Sequence, residues 1–147
     1  PVVANNMETS RPGIFACGNV VHVHDLVDNV TRESWLAGEG AALFAQGRQA
    51  DSKFIATKAG AGIRYLVPHK IRVLDLASKK ISLYLRVLEP AKNVKIEVLE
   101  SGKLVFSRWE RVVRPAEMVS ITIPPGKIAA SAATGLEVRL VKEGGRA

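Results

Sequence analysis

The sequence predicts a mainly β protein: a C-terminal antiparallel β-sandwich of about seven strands, preceded by a strand–loop–helix unit of α/β type. Three observations carry this expectation. Beyond about residue 63, apolar residues recur at a period of two in short segments separated by turn signals. The first fifty residues instead hold one short, wholly apolar run and one stretch with helical spacing. Between them, residues 51 to 62 have the composition of a linker and end in Lys58-Ala59-Gly60-Ala61-Gly62. The expected division is therefore 1–50, 51–62 and 63–147.

In chain order, Gly13 to Cys17 is continuously apolar between Pro12 and Gly18, as in a strand buried on both faces of a parallel sheet. A polar loop follows, with His22, His24, Asp25, Asp28 and Asn29. Thr31 to Gln46 has helical spacing, with Asp28 or Asn29 placed to cap its start and Gly47 to stop it. Trp35, Leu36, Leu43 and Phe44 approximate its apolar stripe. Gly38 and Gly40 would each cost an isolated helix about 1 kcal/mol relative to alanine, so a close backbone approach is expected there.

Ile63 to Val67 and Ile71 to Leu74 are the first two expected strands of the sandwich. The pattern then alternates through Ile81–Val87, Val94–Val98, Val119–Ile123 and Leu136–Leu140, with Lys80, Ser82, Tyr84 and Arg86 on the wet face of the first of these. Ser101-Gly102 supplies a hairpin turn into Leu104 to Trp109, and Pro124-Pro125-Gly126 a break.

Bulk properties narrow the function. No apolar run approaches the roughly 20 residues that span a bilayer, and no secretory signal pattern is visible. The single cysteine, Cys17, excludes an internal disulfide or dithiol pair, and a reducing cytoplasm is the natural compartment. Charge is uneven: residues 1–50 hold three Lys/Arg against five Asp/Glu (net −2), residues 51–147 eighteen against nine (net +9). The basic residues alternate with apolar ones along expected strands, and the few aromatics are not interleaved for base stacking, so nucleic acid is not an expected partner.

The segment that carries chemistry runs from Met7 to Asn19: M-E-T-S-R-P-G-I-F-A-C-G-N. It resembles the second FAD-binding signature of the pyridine nucleotide-disulfide oxidoreductases, in which Pro-Gly-Ile-Phe-Ala, one residue and Gly-Asp follow a threonine and a short spacer. Ala37-Gly38-Glu39-Gly40-Ala41-Ala42 is similar to that family's following helix, and the likeness covers about the first 47 residues. The loop from Val20 to Asp28 looks more like the NAD(P)/FAD oxidoreductases that accompany glycerol-3-phosphate dehydrogenase, which carry an extra C-terminal β domain.

The resemblance implies a flavoprotein parent that passes electrons between NAD(P)H and FAD and on to an acceptor. It implies that Gly18, Asn19 and Val20 meet the ribityl and pyrophosphate region of FAD. Asp28, Val30 and Thr31 would lie at the helix N-terminus facing the flavin ring, where the helix dipole favours negative charge. Asn19 stands where most relatives have aspartate, and asparagine can both accept and donate. No Gly-x-Gly-x-x-Gly follows a strand in this chain. The ADP half of FAD and the NAD(P) site are thus expected upstream, outside the chain, which begins at Pro1 like the middle of something.

The chain alone is therefore expected to be inactive and to hold no FAD. The remainder of the polypeptide is its first expected partner. A dehydrogenase subunit docked on the sandwich, or a second copy of the chain, is the alternative for a non-catalytic docking module. His24 is the candidate for a proton or charge role near the flavin. No metal is expected: His22, His24 and Asp25 lie close in sequence, but among the histidines only His69 remains to complete a site.

Overall fold

The computed structural model describes residues 1–49, 53–129 and 135–142. Among the described residues, eight strands lie in two sheets: β1 (Phe54–Ala59), β2 (Ile63–Val67), β3 (Lys70–Arg72), β4 (Ile81–Val87), β5 (Ala91–Glu100), β6 (Lys103–Val113), β7 (Val119–Ile123) and β8 (Leu136–Lys142). One sheet has the order β3-β1-β8-β5-β6 and the other β2-β4-β7. Two helices complete the set, α1 (Val27–Ala45) and the single-turn α2 (Val73–Leu76). The mainly β architecture is as the alternation predicts.

The two sheets close on one apolar core. Leu83, Leu85, Ile121 and Ile123 from the smaller sheet meet Ile71, Val94, Ile96, Val98, Leu136 and Val138 from the larger one. These are the inward halves of the period-two segments. Ser101 (φ 48°) and Gly102 (φ 83°) form the predicted two-residue hairpin turn between β5 and β6, with the left-handed backbone that such a turn needs.

Several expectations are corrected. Residues 51–62 are not simply a linker: residues 54–59 form β1, paired antiparallel with β3 and parallel with β8 through Thr57↔Leu136. Its partners lie far away in sequence, so local composition could not announce it. Residues 50–52, 130–134 and 143–147 of the expected division lie outside the described residues. The sandwich also contains one parallel pair rather than antiparallel pairs alone. Ile71 to Leu74 is divided between β3 and α2.

The N-terminal region departs further. Gly13 to Cys17 is not a two-sided buried strand; it is irregular, with a single bridge from Glu8 to Phe15, and Ile14 is 56% exposed. No parallel neighbour exists among the described residues to cover it. The helix begins at Val27, so Asp28 and Asn29 lie in its first turn, and its N-cap residue Leu26 gives no side-chain cap. Its end is as predicted: Gly47 (φ 64°) donates to Phe44 and Arg48 to Leu43, a Schellman arrangement.

The predicted stripe of α1 is rotated. Glu33, Ala37 and Gly40 face inward, while Trp35 is 74% exposed. The inward face sits on Val3, Met7, Tyr65 and Val67. A Cβ on Gly40 would come within 2.7 Å of the Asn6 carbonyl oxygen, the close approach the glycine pair predicts, whereas Gly38 faces open space.

The N-terminal region is tied to the sandwich rather than appended to it. Val3 donates from its backbone to His69 Nδ1 at 3.2 Å. Asn5 accepts from the Arg72 amide and donates to Asp75, both at 2.8 Å. The outer face of β4, expected to be wet, is covered by this region: Tyr84 is 2% and Arg86 8% exposed.

Candidate functional site

Gly18 to Val20 form one 3-10 turn, and a short loop joins it to α1, which begins seven residues later. What holds it is a carboxylate. Glu33, on the inner face of α1 and fully buried, accepts from His22 Nε2 and His24 Nε2, each at 3.0 Å, and from the Gly18 amide. Burial opposes the Glu33 charge, but the His22 hydrogen bond, the Gly18 N–H and His24 outweigh it and hold the carboxyl below its ordinary range. Gly18 itself adopts φ 73°, a left-handed conformation that suits glycine.

The two imidazoles lie 4.2 Å apart between ring centroids, and Tyr65 and Tyr84 flank His22 at 5.9 and 5.8 Å. Both Nδ1 atoms are buried without a hydrogen-bond partner.

A second network anchors the loop from the other side. Arg86 on β4 donates to Asp25 and the Val23 carbonyl through Nη2 and to the Tyr65 hydroxyl through Nε, while Asp25 also accepts from the Met118 amide. Desolvation opposes both charges. The Met118 and Arg86 contacts nevertheless depress the Asp25 carboxyl, and the contacts to Asp25 and Tyr65 raise Arg86.

Around this rigid base the residues singled out by sequence are divided. Gly18 is buried and its N–H is engaged by Glu33. Asn19, Val20, Asp28 and Thr31 are exposed and Val30 is half-buried, on the 3-10 turn and the first turns of α1, which touch each other. The Asn19 side-chain oxygen accepts from the His24 amide at 3.3 Å, and the residue is exposed. Val20, Val23, Leu26 and Val27 add an exposed apolar rim at 66, 61, 63 and 79%. His24 does not face solvent; its side chain is 1% exposed against Glu33.

The residue that sequence reasoning missed is Glu33. Its signal was present: Val30, Glu33, Ala37 and Gly40 follow helical spacing, so a carboxylate stands in the buried row. With Glu33 included, His22, His24 and Glu33 offer ligand atoms within 4.8 Å of one another and could hold a metal ion. As they stand the contacts are hydrogen bonds, and neither Nδ1 has the acceptor that usually orients a ligating imidazole. Cys17, the lone thiol, is half-buried with Sγ 3.6 Å from the Ser34 hydroxyl. No protein-family model matches the chain, nor does any curated protein or any solved structure.

Proposed function

We propose that residues 1–49 form one edge of an FAD site in a larger NAD(P)-linked flavoprotein oxidoreductase, and that the sandwich braces that edge. The observation that carries this reading is the uncapped N-terminus of α1, exposed beside the Gly18–Val20 turn. A helix start without a side-chain cap leaves amide donors and a positive dipole end available to an electron-rich group. The apolar rim from Val20 to Val27 suits the flat face of a flavin ring. Asn19, with its oxygen occupied by His24, would offer its amino group to a ribityl hydroxyl. The Glu33 carboxylate keeps turn and helix in fixed relation.

In this reading the redox centre, the ADP site and the NAD(P) site belong to polypeptide outside the chain, and the chain alone performs no turnover. Extending the coding sequence upstream should reveal a Gly-x-Gly-x-x-Gly after a strand. In the full-length protein Asn19→Ala should weaken FAD by about 1 to 3 kcal/mol, read as flavin lost during gel filtration, and Asn19→Asp should retain it. Undiminished flavin in the alanine variant overturns the assignment. The exposed outer face of α1, with Trp35 and Val27, favours a second reading, a docking or dimerisation module. In that case no upstream cofactor motif would be found, and the chain would self-associate or hold a partner subunit through α1.

A further inference from the structure

A cleft of about 190 Å³ lies between α1, the Asn5–Met7 turn and the start of β4, on the side of α1 away from the Gly18 turn. That volume is on the order of six water molecules, room for a metabolite of a few carbons. Its lining carries three polar atoms that are buried and have no hydrogen-bond partner: Asn6 Nδ2, Gln49 Oε1 and the Tyr84 hydroxyl. Buried polar atoms are normally paired. Three in one cleft, a donor, an acceptor and a hydroxyl that can be either, form a recognition set. Tyr84 is 2% exposed and its ring is fixed in the outer face of β4, so the hydroxyl is held in place.

The charge around the cleft has a sign. Four bases, Arg32, Arg72, Lys79 and Lys80, stand against Glu39 and Asp75, a net of +2. Asp75 is already engaged by Lys79 at 3.4 Å and by Asn5. Arg32 and Lys80 form no ion pair among the described residues. Leu36 and Leu43 of α1 supply a hydrocarbon wall to the cleft.

We propose that this cleft binds a small organic oxyanion, a carboxylate or a phosphate ester. Arg32 and Lys80 engage its charge, and Tyr84, Asn6 and Gln49 read its polar groups. Arg32 supplies a planar fork of donors suited to either oxyanion. The hydrocarbon wall selects a ligand with carbon over a bare inorganic ion. The site shares no residue with the edge from Gly18 to Thr31, and is joined to it through the helix that carries Arg32 and through the Tyr84 ring, whose other neighbour is His22.

The test is titration of the full chain with succinate, methyl phosphate and inorganic phosphate, followed by thermal shift and by two-dimensional NMR of side-chain amides. Sodium chloride at matched ionic strength is the control. Succinate or methyl phosphate should raise the melting temperature saturably, as a ligand bound to the native state must, and should move the Asn6 and Gln49 amide signals. A response to succinate alone assigns a carboxylate, and one to methyl phosphate alone a phosphate ester. Arg32→Met should weaken binding by about tenfold, and Tyr84→Phe by several fold on the order of one hydrogen bond. Tyr84→Phe keeps the ring, and its unliganded melting temperature reports that it is folded. A response matched by chloride, or affinity in both variants equal to that of the unsubstituted chain, overturns the proposal. Tighter binding of inorganic phosphate than of either organic anion overturns the organic specificity.

Discussion

Glu33 accepts from His22 Nε2 at 3.0 Å across eleven residues of sequence, with the Glu33 side chain fully buried and that of His22 3% exposed. The same carboxylate holds His24 and the Gly18 amide, so one side chain satisfies three donors that would otherwise be buried unpaired. Glu33→Ala should therefore cost about 3 to 5 kcal/mol, the usual loss when a buried charged partner is removed. Glu33→Gln should cost about 1 to 3 kcal/mol, because its amino group faces an imidazole N–H that has lost its acceptor. Urea unfolding of the three proteins measures both. Equal stability across the series would mean the carboxylate orders nothing.

The pH dependence follows from depressed groups. Burial lowers His69 below its ordinary 6.5. The unfolded chain then takes up that proton first, so His69 contributes stability above pH 6.5 that is lost as pH falls below it. Glu33, depressed below its ordinary 4.5, contributes stability present above that value and lost as pH falls through its lower folded value. Melting temperature against pH should fall in two steps on acidification. Glu33→Gln should reduce the second step, to which the depressed Asp25 carboxyl also contributes, and leave the first. A single step unaffected by that substitution contradicts the assignment.

The two glycines of α1 should respond in opposite directions. Gly38 faces open space, so Gly38→Ala should stabilise by up to about 1 kcal/mol through helix propensity. A Cβ on Gly40 would meet the Asn6 carbonyl and the Phe15 ring, both at 2.7 Å, so Gly40→Ala should destabilise by about 1 to 3 kcal/mol. Thermal melts of the two variants decide it. Similar changes in both would mean α1 does not sit on the N-terminal segment.

Deleting residues 1–49 should leave a cooperative β-type transition, because among the described residues the core between the sheets draws on Ile55 to Leu140 and not on the N-terminal region. Its midpoint should fall, since the deletion uncovers Tyr65, Tyr84 and Arg86 on the outer face of the smaller sheet and removes the Asp25 partner of Arg86. Circular dichroism during heating reports both. An unfolded truncation would place the N-terminal region inside the folding unit.

Sequence alone determined the mainly β class, the inward residues of β4, β5, β7 and β8, the Ser101-Gly102 hairpin and the Gly47 helix stop. Each is set by side-chain alternation or by a local backbone requirement, and both are visible in a window of a few residues. Tertiary structure decided the rest. β1 exists because Thr57 to Ala59 find β8, some eighty residues away. Gly13 to Cys17 stays irregular because no parallel strand among the described residues flanks it. Tyr84 and Arg86 alternate as wet residues should, yet they are buried because a second layer lies over their face. Glu33 carried a helical-spacing signal, but its meaning depended on which side of α1 turned inward and on two histidines arriving there from a loop. Periodicity reports one strand's or helix's preference for a face; what covers that face is settled only by contacts between segments distant in the chain.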